Sequence, residues 1–522
     1  MEAGGSQGAG AAATRPGRRL LPIPGVFYGG GCSYMACRGL MMGGIEDVLL
    51  ITHGPVGCAY FAGINGHRGG DDDWRQRHTG RTFVTHMNET DVVFGAEAKL
   101  ARAIDEAVAL YAPRAIAVCA TCPVGLIGDD IETVCAEASA RHGIDVLSLS
   151  CEGFRERQGW LLAGERIMEE WVGRGDKEKG EPAGRAAGDA GSGGDAGSGG
   201  AGNPFTLHFM SESYEAERKV AIGGLLRAAG YDVVCSMMGS TTYEQITRSQ
   251  RARLVVLDSG KQIDAVPRMF QERYGCGFMR VHMSGVGSTA ASLRAMAAFF
   301  GDEGLAARTE QVIAAELGRV SGPLAAARRR YEGTVVAVFE DIFRSNDYAT
   351  LSGELGMDVV MVSQDYGARR YTDQGYTVHL PAALVGRLPE SLAAAFVEDA
   401  EGAAADGGAG QTVASLPGCP HLHCPGRDLA WIPAVLDARD VSRLLDALRP
   451  AIEFAGIEER FGYAGATVRS ELFSSDVRGC DYTGFDAPLQ FARDIEAAAN
   501  VSRWYRDVPA WAIDATKGAE AR

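Results

Sequence analysis

The chain has 522 residues, which at roughly 150 residues per domain allows about three or four domains and an ample core. Apolar residues make up 46% and charged residues 23%, which excludes collagen, coiled coil and wholesale disorder. The formal charge of −16 argues against a nucleic-acid-binding surface, which needs a net basic face. The N-terminal residues 1–20 are Gly- and Ala-rich, end near Arg18-Arg19 and have no apolar run of signal-peptide type, so they read as a disordered tail. No stretch reaches the ~20 apolar residues of a membrane span. The expected location is the cytoplasm, where thiols stay reduced. Twelve cysteines there point to metal ligands or buried apolar thiols rather than disulfides.

From residue 21 onward, short continuous apolar runs alternate with helical stretches. Val48–Ile51, Ala115–Cys119 and Val146–Leu149 are the runs of a first unit spanning 21–173, with a helix expected over Asp129–Arg141. A low-complexity insertion, 174–203, contains AGSGG repeats and almost no large apolar residue, so it cannot offset its own ordering entropy. A second unit, 204–333, carries runs at Phe205–Met210, Asp232–Cys235, Leu254–Leu257 and Met279–His282, with helices over Glu215–Ala229, Gln262–Tyr274 and Thr289–Phe300. A third, 334–522, carries Thr334–Phe339 and Val359–Val362 around a helix at Tyr348–Leu355, a Gly/Ala-rich break at Glu401–Gln411, and a C-terminal helix expected to return to the first unit. The pattern predicts an α/β fold of several doubly wound, Rossmann-like parallel sheets with helices on both faces. In such sheets ligands sit beyond the carboxyl ends of the strands.

Three cysteines fall in loops of that kind. Cys58 closes the turn ITHGPVGC after the first apolar run; Cys122 follows Ala115–Cys119; Cys32 ends Gly29-Gly-Gly-Cys32. Soft thiolates on Gly-containing loops suit an iron–sulfur cluster. Buried structural thiols have the same composition, and spacing alone leaves both readings open.

The residues around them narrow the choice. ITHGPVGC (51–58) and ATCPVGLIGDDIETV (120–134) resemble the two signature motifs of nitrogenase component 1, and VTHMNETDVVFGAEAKLARAIDEA (84–107), SCEGFRE (150–156) and GFDAPLQFARDIE (484–496) resemble further segments of that family, alpha-type rather than beta-type. The resemblance implies that Cys32, Cys58 and Cys122 are thiolate ligands of a P-cluster-like or [4Fe–4S] centre shared with a homologous beta-type subunit, in a heterotetramer. It also implies an ATP-hydrolysing iron protein as electron donor, consistent with the lack of a GxxxxGK[ST] loop here.

The resemblance fails where the family holds its second cofactor. The expected cysteine position falls on Ser259 and the expected histidine position on Ser474; the substrate-side glutamine, histidine and arginine positions fall on Gly159, Ala163 and Gly66, with Gln158, His67 and Arg68 close by. A hydroxyl is a poor iron ligand beside thiolate and imidazole. Cys276, Cys480 and the loop Cys419-Pro-His-Leu-His-Cys424 are other candidate metal donors, though the loop's spacing is no recognised zinc pattern. Cys37, Cys119, Cys135, Cys151, Cys235, His208 and His282 read as core, His53 as a turn-stabilising hydrogen-bonder, and Asp129 and Asp130 as first-turn acids of the next helix. The expected function is an alpha-type subunit of a two-component reductase acting on a small molecule other than dinitrogen. A cofactor-assembly scaffold and a true nitrogenase alpha chain are the alternatives.

Overall fold

The computed structural model describes residues 32–38, 44–60, 82–154, 159–175, 203–211, 216–237, 241–258, 265–339, 345–362, 430–432, 449–454, 468–469 and 482–506. The tail, residues 176–202 of the insertion, Gly66, His67, Arg68, Gln158, Ser259, Cys419–Cys424, Ser474 and Cys480 lie outside them.

The described strands form three sheets, each with every pairing parallel. The first contains β1 (Val48–His53), β2 (Thr82–Val84), β3 (Ala115–Ala120) and β4 (Asp145–Leu149), in the order β2-β1-β3-β4. All six residues of β1 and of β3 are buried, as continuous apolar runs require when both faces are covered. Helices Glu97–Tyr111 and Ile131–His142 cover one face through Leu100, Ile104, Ile131 and Cys135. Helix Gly159–Glu170 lies in the core on the other face, through Trp160, Ala163 and Ile167. Gly159 and Ala163 are packing positions there, with no polar side chain to offer.

The second sheet repeats the plan with β5 (Thr206–Ser211), β6 (Asp232–Cys235), β7 (Leu254–Asp258) and β8 (Gly277–Val281), ordered β6-β5-β7-β8. It shares one apolar core with the first: Leu50, Ala117 and Trp171 cluster with Met210, Val255 and Phe270. Polar ties reinforce the junction, since Tyr243 N–H donates to Asp47 (2.6 Å) and the Tyr243 hydroxyl donates to Asp145.

The third sheet comprises β9 (Val335–Phe339), β10 (Asp358–Val362), β11 (Ala430–Ile432), β12 (Ile452–Phe454) and β13 (Val468–Arg469), ordered β11-β10-β9-β12-β13. A 29-residue helix, Glu303–Tyr331, precedes it. The C-terminal helix Ala487–Arg506 was expected to return to the first unit. Its described contacts include the long helix and the third unit: Ala492 C=O accepts from the Tyr331 hydroxyl, and Phe491 packs on Tyr348 and Phe454. Among the described residues no helix is long and apolar enough to cross a membrane.

Candidate metal centre

The order β2-β1-β3-β4 reverses direction between β1 and β3, and the crevice beyond the carboxyl ends of two such strands is where open α/β sheets bind ligands. Two motif cysteines sit there. Residues 56–60 are helical and carry Cys58 just past β1, and helix Cys122–Ile127 starts with Cys122 just past β3. The two loops are laced together. Thr121 Oγ1 donates to His53 C=O (2.8 Å), and a Cβ on Gly54 would lie 1.9 Å from that same oxygen, so only glycine lets the loops close this far. His53 Nδ1 meets Thr85 Oγ1 at 3.0 Å, which agrees with its reading as a turn-stabilising residue. Burial lowers the His53 pKa; the Asp129 carboxylate, 3.4 Å from Nε2, pulls the other way.

Cys32 lies at the start of helix Ser33–Met35. Gly153, after β4, lies between two of the sulfurs: a Cβ there would stand 3.0 Å from Cys32 Sγ and 3.1 Å from Cys122 Sγ. All three motif cysteines are free and half-buried. Burial pushes the Cys32 thiol up, the Met35 backbone N–H pulls it down, and the Cys122 sulfur adds to the rise. Cys58 is likewise raised by burial and then by the sulfurs of Cys122 and Cys32. Ionising one thiol therefore makes ionising the next harder, and a bound cation reverses that balance. As a set the three sulfurs do not gather within 4.8 Å. The donor set is soft, mutually within electrostatic reach, and wider than a single-ion site.

Asp129 departs from its expected role. Asp130 caps helix Ile131–His142 by accepting from Thr133 N (3.0 Å), whereas Asp129 sits before the cap, accepts from Ala96 N (3.1 Å) and faces His53. Cys276, a candidate donor from sequence, is buried and donates to Gln250 C=O at 3.6 Å. Cys37, Cys119, Cys135, Cys151 and Cys235 are buried, as expected. His208 is buried against Phe270, and burial brings its pKa down to about 3; His282 is buried 3.6 Å from Asp347.

Sequence reasoning missed one grouping. Cys37, Cys119 and Cys151 lie within 4.8 Å of one another through their sulfurs. The Cys151 thiol donates to Ala120 C=O at 3.6 Å; the Cys151 and Cys37 side chains hold Cys119 well below the usual thiol range, while burial pushes Cys37 and Cys151 up. Residue positions so far apart leave no local signal.

Soft thiols near the switch point of a parallel sheet suit metal binding in an α/β protein. The family model described as "Nitrogenase component 1 type Oxidoreductase" matches residues 32–401. The molybdenum–iron protein alpha chain of Methanosarcina barkeri is 30% identical over 94% of this chain and 89% of its own length, and that of Clostridium pasteurianum is 29% identical with the same coverages. The iron–molybdenum cofactor biosynthesis protein NifE of Methanosarcina barkeri is 26% identical over 91% of this chain and 89% of its own. The solved structure "Nitrogenase Cp1 at pH 6.5" superposes with a TM-score of 0.69 at 26% identity, covering 94% of this chain and 92% of that one. The chain belongs to the nitrogenase component 1 type oxidoreductase family. Its relatives include alpha chains and a cofactor-assembly protein alike.

Proposed function

We propose that the chain is the alpha-type subunit of a cytoplasmic two-component reductase whose Cys32, Cys58 and Cys122 hold an iron–sulfur cluster shared with a beta-type partner. The observation that carries this reading is the convergence of the three motif cysteines, half-buried and electrostatically coupled, on the β1/β3 switch point. The donor chemistry fits: soft thiolates, too widely set for one ion, with the glycine at 153 leaving their approach open. When bound, such a cluster supplies low-potential one-electron transfer. The chain's own part is to fix the thiols through the Thr121–His53 and His53–Thr85 links. It also frames them with apolar surface. Phe94 is 83% exposed, Leu126 76% and Val93 72%, with Val56 and Phe154 also exposed, all on segments at the carboxyl ends of these strands. A partner seated on that rim would exclude water from the cluster and contribute the remaining ligands.

The division into units at 21–173, 204–333 and 334–522, with electrons from an ATP-hydrolysing iron protein, belongs to the same reading. Serines at 259 and 474 in place of the family's second-cofactor ligands favour a small-molecule substrate other than dinitrogen. The likeness to NifE supports a second reading, a scaffold that builds a cofactor and hands it on. Purified anaerobically with the partner, iron protein and ATP, the complex should reduce an artificial substrate panel and hold about four irons per alpha–beta pair without molybdenum. Cys58→Ala and Cys122→Ala should strip that iron and abolish reduction. Iron-replete variants would overturn the ligand assignment, and a complex that releases a cluster precursor without turnover would establish the scaffold.

A further inference from the structure

One layer below the motif cysteines, the core contains its second thiol group. Cys37 lies on the turn that continues helix Ser33–Met35, Cys119 is in β3 opposite Leu149 of β4, and Cys151 follows β4. All three side chains are completely buried, and their sulfurs fit within 4.8 Å of one another. Each is carried by a segment that also bears a motif cysteine or Gly153, yet none is within the half-buried set.

The dimensions select a single ion. Three sulfurs about 2.3 Å from one metal in a trigonal plane stand about 4.0 Å apart, inside the observed limit. No fourth Cys, His or carboxylate ligand atom joins the group among the described residues. Structural zinc sites are almost always four-coordinate, whereas soft thiolates also select Cu(I). Charge agrees with a monovalent ion. Arg38, itself buried, acts electrostatically on Cys119. Two thiolates and one thiol around a monovalent cation leave one negative charge, which the guanidinium offsets; an uncompensated buried charge would be costly.

We propose that Cys37, Cys119 and Cys151 form a buried trigonal site for one monovalent thiophilic metal ion, Cu(I), separate from the motif cysteines. Relative to three neutral thiols, loading releases two protons to solvent and changes no oxidation state. The ion would tie the segment bearing Cys32 to β3 and β4.

The test is metal content of the full chain expressed in copper-supplemented medium, purified anaerobically and desalted. About one copper per chain is expected, bound by a shell of sulfur in X-ray absorption. Cys119→Ala should lose it. Cys151→Ser, which preserves volume, should lose it too with an unchanged far-UV circular dichroism spectrum, separating ligand loss from misfolding. Cys58→Ala, purified together with the beta-type partner, should keep the copper while losing iron, so this proposal and the cluster assignment fail independently. Wild-type protein without copper, a four-coordinate zinc in its place, copper retained in both trio variants, or copper lost with Cys58→Ala would overturn the proposal.

Discussion

Glu354 offers a quantitative test of how the second and third units are joined. It ends helix Ser345–Glu354, is 2% exposed, and accepts from Val286 N and Gly287 N, both at 2.8 Å, the first amides of helix Val286–Phe300. Burial raises its pKa from 4.5 to about 7; the two amide hydrogen bonds and Arg328 oppose the rise without cancelling it. The folded chain therefore holds this proton more tightly than the unfolded one. Its contribution to stability is complete below about pH 4.5, declines as pH rises toward 7, and is flat above. The gap between the two pKa values corresponds to about 3 kcal/mol. Glu354→Gln removes the titration while keeping one carbonyl oxygen for the amides. Urea unfolding of both proteins at about pH 5 and about pH 8 isolates the group, because the other titrations cancel in the difference. The stability gap between wild type and variant should shift by about 2–3 kcal/mol in the variant's favour at the higher pH. A gap independent of pH, or one that moves toward the wild type, would mean that the helix N-terminus outweighs desolvation and would refute the reasoning.

Other perturbations have defined outcomes. Gly54→Ala places a methyl carbon 1.9 Å from Thr121 Oγ1, and should cost about 1–3 kcal/mol in thermal or urea unfolding, together with iron loss as the cysteine loops part. Gly153→Ala brings a methyl to within 3.0 and 3.1 Å of the Cys32 and Cys122 sulfurs; iron per chain should fall with unfolding unchanged. Asp130→Ala removes the cap of helix Ile131–His142 and should cost about 0.5–2 kcal/mol, read by chemical denaturation. Phe94→Asp combined with Leu126→Asp should abolish association with the beta-type partner on size exclusion, leaving the chain's own melting temperature within a few degrees.

Strands buried on both faces were legible because every residue contributes to an apolar run; Leu254–Leu257 and Ala115–Cys119 were each placed to within one residue. The helix Glu303–Tyr331 was not, since Pro323 interrupts it as a chain breaker would and tertiary packing carries it through. The motif cysteines could be singled out as candidates because glycines and strand ends mark their loops in the sequence, while the choice between ligand and core thiol rests on the family resemblance. The trio of Cys37, Cys119 and Cys151 could not, because its proximity is created by the packing of a helical turn onto neighbouring strands. Asp129 was misplaced for a related reason: its partners, Ala96 and His53, are remote in sequence.

The mounting of Cys58 and Cys122 has a further consequence. They follow adjacent strands that pair residue for residue from Val48↔Ala115 to His53↔Ala120, and Thr121 bridges the two loops directly to His53. Their separation is thus inherited from the lattice of the sheet rather than from the softness of a surface loop. A group held there by Cys58 and Cys122 would meet donors whose spacing the sheet resists changing. Little energy would then be spent on rearranging the protein around it, and the sheet's stiffness would become a kinetic asset.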